Sequence, residues 1–184
     1  MARKETITKE MIIDTAFLLT CEEGIEHVTA RKLAAKANCS TQPIFRIYKN
    51  MEELQDDLYQ KMIDYFEDFY ASSPKKEDTP FVNLGFAYIK FAEKEKHLFR
   101  ALFLSENRVG KSLYELLNGN TGAVVTQINK AKMNGTTNAS ELFMKMWIFI
   151  HGAACMVITG DYDLSEEETI SLLKDSYSAY AKKS

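Results

Sequence analysis

Proline and glycine are scarce in this chain, with 3 and 8 residues among 184, and there is a single tryptophan. So few breakers exclude collagen-like and low-complexity architectures and favour helices. Cysteine is also scarce: Cys21, Cys39 and Cys155 are odd in number and form no C-x-x-C pair. Neither a disulfide framework nor a zinc cluster is expected, and a reducing cytoplasm is the simplest setting. Residues 1–10 are polar with no apolar region behind their charges, so no secretory signal is expected. The N-x-S/T matches at Asn38, Asn134 and Asn138 are accordingly read as chance. The longest apolar stretch, Met146 to Ile158, is interrupted by His151 and Gly152. It falls short of the roughly 20 residues a membrane span needs, which predicts a buried helix and no membrane association. Positive charge is not in excess either, since 23 Lys and Arg against 26 Asp and Glu leave −3. A nucleic-acid surface would therefore have to be local. What the chain does have is 46% hydrophobic, 27% charged and 11% aromatic residues, the composition of a globular protein with a substantial core.

Apolar spacing predicts an all-α fold. Met11, Ile12, Ala16 and Leu19 recur at helical intervals after Thr8, a suitable N-cap, and stop at Gly24, which tolerates positive φ. Thr29 caps a short helix, Ala30 to Ala37, broken by Asn38-Cys39-Ser40, and Ser40 is expected to cap a third helix of about two turns. A fourth runs from Met51 to about Tyr70 with Leu54, Leu58, Met62 and Phe66 in i, i+4 steps. The stretch Ala71 to Pro80 holds two of the three prolines and reads as a linker between modules. Beyond it the pattern predicts helices from Pro80 to Glu95 and His97 to Leu104, and one or two between Lys111 and Met133, with breaks at Asn118-Gly119-Asn120 and Asn134-Gly135. A long apolar helix from Ser140 to Thr159 follows. Ser165 and Glu168 then form a capping box that opens a final helix, Glu166 to about Lys182. No segment alternates as a strand, and no internal repeat is present.

Charge is segregated. The 25 residues from His27 to Met51 contain Arg31, Lys32, Lys36, Arg46 and Lys49 and no Asp or Glu, whereas Glu52 to Tyr70 holds seven acids against Lys61. A solvated helix face mixes both signs, so this window fits a surface that meets phosphates. It lies on two short helices separated by a three-residue turn, the spacing of a helix-turn-helix whose second helix enters the major groove. With Ser40 as N-cap, Ile44, Ile47 and Tyr48 face inward, while Thr41, Gln42, Pro43 and Arg46 face out. Gln pairs bidentately with adenine and Arg with guanine, and apolar carbon meets the thymine methyl. Pro43 is tolerated because the first turn's N–H groups have no intrahelical acceptor. Lys49 and the helix N-terminus at Thr29 would grip phosphates.

The stretch from Ile12 to Leu54 resembles the N-terminal DNA-binding domain of TetR-family transcriptional regulators through Ala16, Gly24, Thr29, Arg31, Ala34, Ser40, Tyr48, Lys49 and Leu54. The resemblance implies an all-helical homodimer. A three-helix DNA-binding head would span residues 1–50, and a helical body for a small effector and for dimerisation would span 51–184. Two positions depart from the pattern. Asn38 stands where the family usually has Gly, tolerable because Asn also visits the left-handed region, and Phe45 replaces a Tyr whose hydroxyl commonly touches phosphate. The implied DNA-contacting set is Thr29, Arg31, Thr41, Gln42, Pro43, Phe45, Arg46, Tyr48 and Lys49, and the partner is double-stranded operator DNA.

The helix around Met144, Ile148, His151, Cys155 and Ile158 is apolar nearly all round and must be covered on both sides; one side can face its own core and the other a second subunit, the role the resemblance implies for it. Its segment WIFIHGAACM also resembles the Trp-x-x-x-His-Gly pattern of one TetR C-terminal subfamily, through Trp147, His151 and Gly152. Tyr88, Phe91, Phe99, Phe103, Met144, Trp147 and His151, with Met156, could line a pocket for an apolar or aromatic effector, and a filled core accounts for them equally well. His151 reads first as a hydrogen-bonded core histidine beside a tight Gly152 contact. Catalysis is not expected: Glu52, Glu53, Asp56 and Asp57 have no neighbouring His or Cys, and no metal-protease, nucleophile-elbow, P-loop or Rossmann pattern occurs. No cofactor or metal is expected. The competing reading, a helical adaptor binding another protein through its last helices, leaves the acid-free window without a purpose.

Overall fold

The computed structural model describes residues 7–106, 115, 122–133 and 138–181. The first helix, α1 (Lys9–Glu23), opens where Thr8, in extended backbone, accepts the Met11 N–H on its side-chain oxygen. It closes at Gly24, whose φ of +101° is rare for any residue with a Cβ. A 3₁₀ turn (Ile25–His27) leads to α2 (Ala30–Lys36), capped by Thr29 through the Lys32 N–H. Then come α3 (Gln42–Ile47), α4 (Met51–Ser72), α5 (Pro80–Lys94) and α6 (Lys96–Phe99), which continues as a π-helical turn over Arg100–Leu104. The remaining helices are α7 (Ala123–Met133), α8 (Ala139–Thr159) and α9 (Glu166–Ala181). No strand occurs among the described residues. The predicted capping box opens α9: Ser165 N–H donates to Glu168 at 2.8 Å, and Glu168 N–H donates back to the Ser165 hydroxyl at 3.2 Å.

The chain forms two compact units. The first takes the described residues up to Tyr65 together with those from His97 to Glu106; the second takes Phe66–Lys96 and the described residues further on. These units cut the chain differently from a division after residue 50. In the first unit, α1 packs on the 3₁₀ turn and on α2. Ile12, Ala16, Leu19, Val28, Leu33, Ile44, Leu54, Leu58 and Met62 are buried there. Ion pairs from Lys9 to Asp57 at 2.5 Å and from Lys61 to Asp14 at 2.7 Å link α1 to α4. The Tyr59 hydroxyl lies 3.0 Å from the Ala101 carbonyl and 3.2 Å from that of Leu102, so it bonds into the π-helical turn. The expected single helix from His97 to Leu104 is thus wound in two ways, the wider turn offering carbonyls to Tyr59.

In the second unit α5 packs against α8 and α9, and α7 against α8. Gly85 makes the three-helix contact possible, because a Cβ there would stand 2.7 Å from Ile150 Cδ1 and 3.0 Å from Leu173 Cδ2. By length and composition α8 is apolar enough to cross a membrane. Its buried side, from Leu142 to Val157, is however the wall on which α5 and α9 pack, which is how a core helix behaves.

The segment expected to be a linker is instead an ordered turn. Both α5 and the end of α4 belong to the second unit, and the Asn83 side chain accepts the N–H groups of Lys76 and Glu77 at 2.9 and 3.1 Å while donating to the Glu77 carbonyl. Glu77 also pairs with Lys174 of α9 at 3.0 Å. Proline content gave the turn; side-chain bonds from a later helix fix it. The breaks at Asn118-Gly119-Asn120 and Asn134-Gly135 and the end at Lys182 lie outside the described residues.

Candidate nucleic-acid interface

The turn between α2 and α3 follows from Asn38. With φ at +50°, it lets Cys39 N–H reach the Ala34 carbonyl at 2.9 Å and its own N–H reach Ala35 at 3.2 Å, a Schellman closure that ends α2 and redirects the chain. The left-handed conformation expected of Asn38 is observed. The start of α3 differs by one residue from the expected cap at Ser40. Thr41 is the N-cap, in helical dihedrals and without a side-chain bond, and proline follows at the second helical position. Pro43 has no N–H for a cap to accept, so one reason for a side-chain cap is removed.

Ile44 and Tyr48 are buried, and Gln42, Phe45, Arg46 and Lys49 are exposed; Thr41, Pro43 and Ile47 lie between. Phe45 is 49% exposed, an apolar ring standing on an otherwise polar face. At the start of α2, Thr29 and Arg31 are exposed. The DNA-contacting set implied by the resemblance is therefore brought to one helix-turn-helix, and one member of it, Tyr48, faces inward as the helical spacing expected. Tyr48 does not face solvent: it is 1% exposed and its hydroxyl donates to Asp57 Oδ2 at 2.9 Å. Lys49 N–H donates to Glu53 at 2.8 Å, and Glu53 N–H to Asn50 at 2.9 Å, so the entry into α4 is capped from both sides.

Two of the five cations in the acid-free window are spoken for. Lys32 pairs with Glu23 and Lys36 with Glu22, each at 2.5 Å, from the last turn of α1. The Lys32 hydrogen bond holds the Glu23 carboxyl below the usual carboxylate range. These acids lie outside the window and 9 and 14 residues away, a distance no local spacing rule covers. Arg31, Arg46 and Lys49 are the window's cations that enter no ion pair among the described residues.

The expected effector residues divide. Tyr88, Trp147 and His151 meet in the second unit: the Tyr88 hydroxyl lies 3.0 Å from His151 Nδ1, the Tyr88 ring meets Trp147 edge-on at 4.8 Å, and His151 stacks on Trp147 at 5.4 Å. Phe91 is buried there against Phe66 and Phe69. Phe99 and Phe103 pack on one another at 5.1 Å in the first unit. Met144 is 53% exposed, whereas Trp147, one turn further along α8, is buried at 8%. No tight contact exists at Gly152, which is exposed with open space where a Cβ would stand. A cleft of about 410 Å³ does exist in the second unit, walled by Phe86, Ile89, Val157 and Leu164 and edged by Lys90 and Glu166, but none of the expected effector residues lines it. Among the described residues no group of His, Cys, Asp and Glu is arranged to hold a metal.

The architecture is all-helical, an N-terminal helix-turn-helix followed by a helical body, and it is the fold of TetR-family transcriptional regulators. A TetR-family regulator structure from Vibrio parahaemolyticus superposes with a TM-score of 0.68 at 16% identity, covering 92% of this chain and 96% of that one. A TetR-like regulator from Rhodococcus sp. RHA1 gives 0.65 at 13% identity over 99% and 100%. One from Mesorhizobium loti gives 0.59 at 19% identity over 95% of each chain. No sequence-family model and no curated protein matches the chain.

Burial, followed by the Asp57 bond and charge, raises the Tyr48 phenol above its ordinary value of about 10. A raised value in the folded state means a contribution that is intact below the unfolded value and lost as pH rises. Stability measured by urea melts should therefore fall above about pH 10, and Tyr48→Phe should remove part of that slope.

Proposed function

We propose that the chain is a sequence-specific DNA-binding transcriptional regulator. In this reading residues 1–50 read a palindromic operator, and residues 51–184 dimerise and bind a small effector that releases the DNA, as in a repressor of the cytoplasm. The observation that carries it is the exposed set on α2 and α3. Gln42 and Arg46 stand outward on the second helix of a helix-turn-helix, Arg31 and Lys49 flank them, and no acid occurs between His27 and Met51. Such types at base edges select sequence, and the flanking cations neutralise phosphates. Binding-site selection from random duplexes should return an inverted repeat. Arg46→Ala should then cost about 1–3 kcal/mol of discrimination at one base pair, while Lys49→Ala should weaken all duplexes alike and reduce the salt slope by about one. Equal binding of the selected site by Arg46→Ala and the parent, across salt concentrations, would refute the assignment.

Dimerisation is supported by α8. Met144, Ile148 and Met156 are 53%, 67% and 47% exposed, and with Gly152 they repeat every four residues, an apolar stripe whose open centre allows close approach of a second helix. Leu172 adds an exposed apolar residue on α9. Sedimentation should give a dimer for the parent and a 21 kDa species for Ile148→Asp, with thermal stability of the separated chains measured alongside.

The effector reading rests on Tyr88, Trp147 and His151, a polar bond set among aromatic rings. An apolar or aromatic compound entering there must part those rings, so it should shift or quench emission from Trp147, the only tryptophan. Operator DNA must alter its affinity by the factor with which it alters operator affinity, typically about 5–150-fold. A saturable change of equal affinity with and without operator would leave a binding site without a regulatory role. On this reading the chain needs no cofactor and performs no catalysis.

A further inference from the structure

The end of α3 is fixed by Tyr48, which follows it directly and turns the backbone into the extended region, with φ −116° and ψ 131°. The Tyr48 ring fills buried space as any aromatic would. Its hydroxyl adds a direction, because a buried O–H must find an acceptor and here finds Asp57 Oδ2 at 2.9 Å on α4. The same oxygen receives the Lys9 ammonium, 2.5 Å away, from the first residue of α1, and that ammonium lies 5.5 Å over the Tyr48 ring. Three helices thus converge on one carboxylate oxygen. None of the outward residues of α2 and α3 takes part.

We propose that Asp57 positions the recognition helix, holding the end of α3 at one angle to α4 through Tyr48, while Lys9 neutralises the carboxylate. Asp57 touches no DNA in this scheme; it sets how often α3 stands where Gln42 and Arg46 can read. The affinity of a site that is only partly populated falls by the populated fraction, so loosening the tether weakens binding without removing a contact. The consequence for DNA rests on the regulator reading above, but the tether itself does not.

Two measurements separate them. Amide hydrogen exchange on the full, DNA-free chain reads the tether: Tyr48→Phe and Asp57→Ala should speed exchange at the Phe45 and Tyr48 amides about tenfold beyond what their change in global stability explains. Asp57→Asn, which keeps an acceptor for the phenol, should restore protection. Tyr59→Phe serves as the matched control: it removes another buried phenol of the same unit and should leave α3 exchange unchanged apart from global stability. Operator titration then reads the consequence, with about tenfold weaker binding for Tyr48→Phe and Asp57→Ala and near-parent binding for Asp57→Asn. Unchanged exchange in α3 overturns the proposal whatever the DNA result. Faster exchange with unchanged operator affinity also overturns it, since α3 would then not need the tether to read. A parent chain that selects no DNA refutes the regulator reading instead, and exchange still decides whether Asp57 positions α3.

Discussion

A helix of six residues does not hold itself together in water, because nucleation fixes several dihedrals for each hydrogen bond gained. That constraint governs α3, which carries Gln42 and Arg46. The candidate interface exists only because Ile44 and Tyr48 are both buried at 1% exposure, drawing one side of α3 inward and leaving the other to solvent. The same logic explains why Asn38 matters: its positive φ closes α2 in the right place for α3 to begin. Capping at Asn50 and Glu53 then starts α4 without a gap. Burial, turn and cap are successive requirements on fewer than twenty residues.

Electrostatics narrows the interface as the chain folds. Five cations in the window become three once Lys32 and Lys36 pair with Glu23 and Glu22. The pairs are exposed, and exposed pairs contribute little to stability. Their effect is on the surface potential: charge is withdrawn at Lys32 and Lys36 and left at Arg31, Arg46 and Lys49. A protein of net charge −3 can present a local positive surface only by such segregation, and the acids of α4 lie just beyond Lys49.

In the second unit aromatic packing does what charge does in the first. Tyr88, Trp147 and His151 fill the space between α5 and α8, and Phe81 approaches Phe143 and Tyr177 at 6.1 Å. Gly85 allows α5 to come close enough for those rings to touch. What this packing leaves uncovered is the stripe through Ile148, so the same helix supplies a core on one side and an apolar surface on the other.

The sequence by itself determined most of the helices and several of their caps, though not the cap of α3, because these depend on residues three or four apart. Thr8, Thr29, Asn38, Ser165 and Glu168 each act on backbone within a turn, and their roles were legible. So was the outward face of α3, since burying Ile44 commits its neighbours. Only the tertiary structure decided which cations are paired, which acceptor the Tyr48 hydroxyl meets, and which aromatic residues share a site. Lys36 finds Glu22 across 14 residues, the Tyr48 hydroxyl finds Asp57 across nine, Phe99 parts from Trp147 because it belongs to another unit, and Met144 is left exposed at 53% while Trp147 is buried. Local periodicity fixes which side of a helix is apolar. It carries no information on which distant helix will meet that side, and those contacts decide the chemistry.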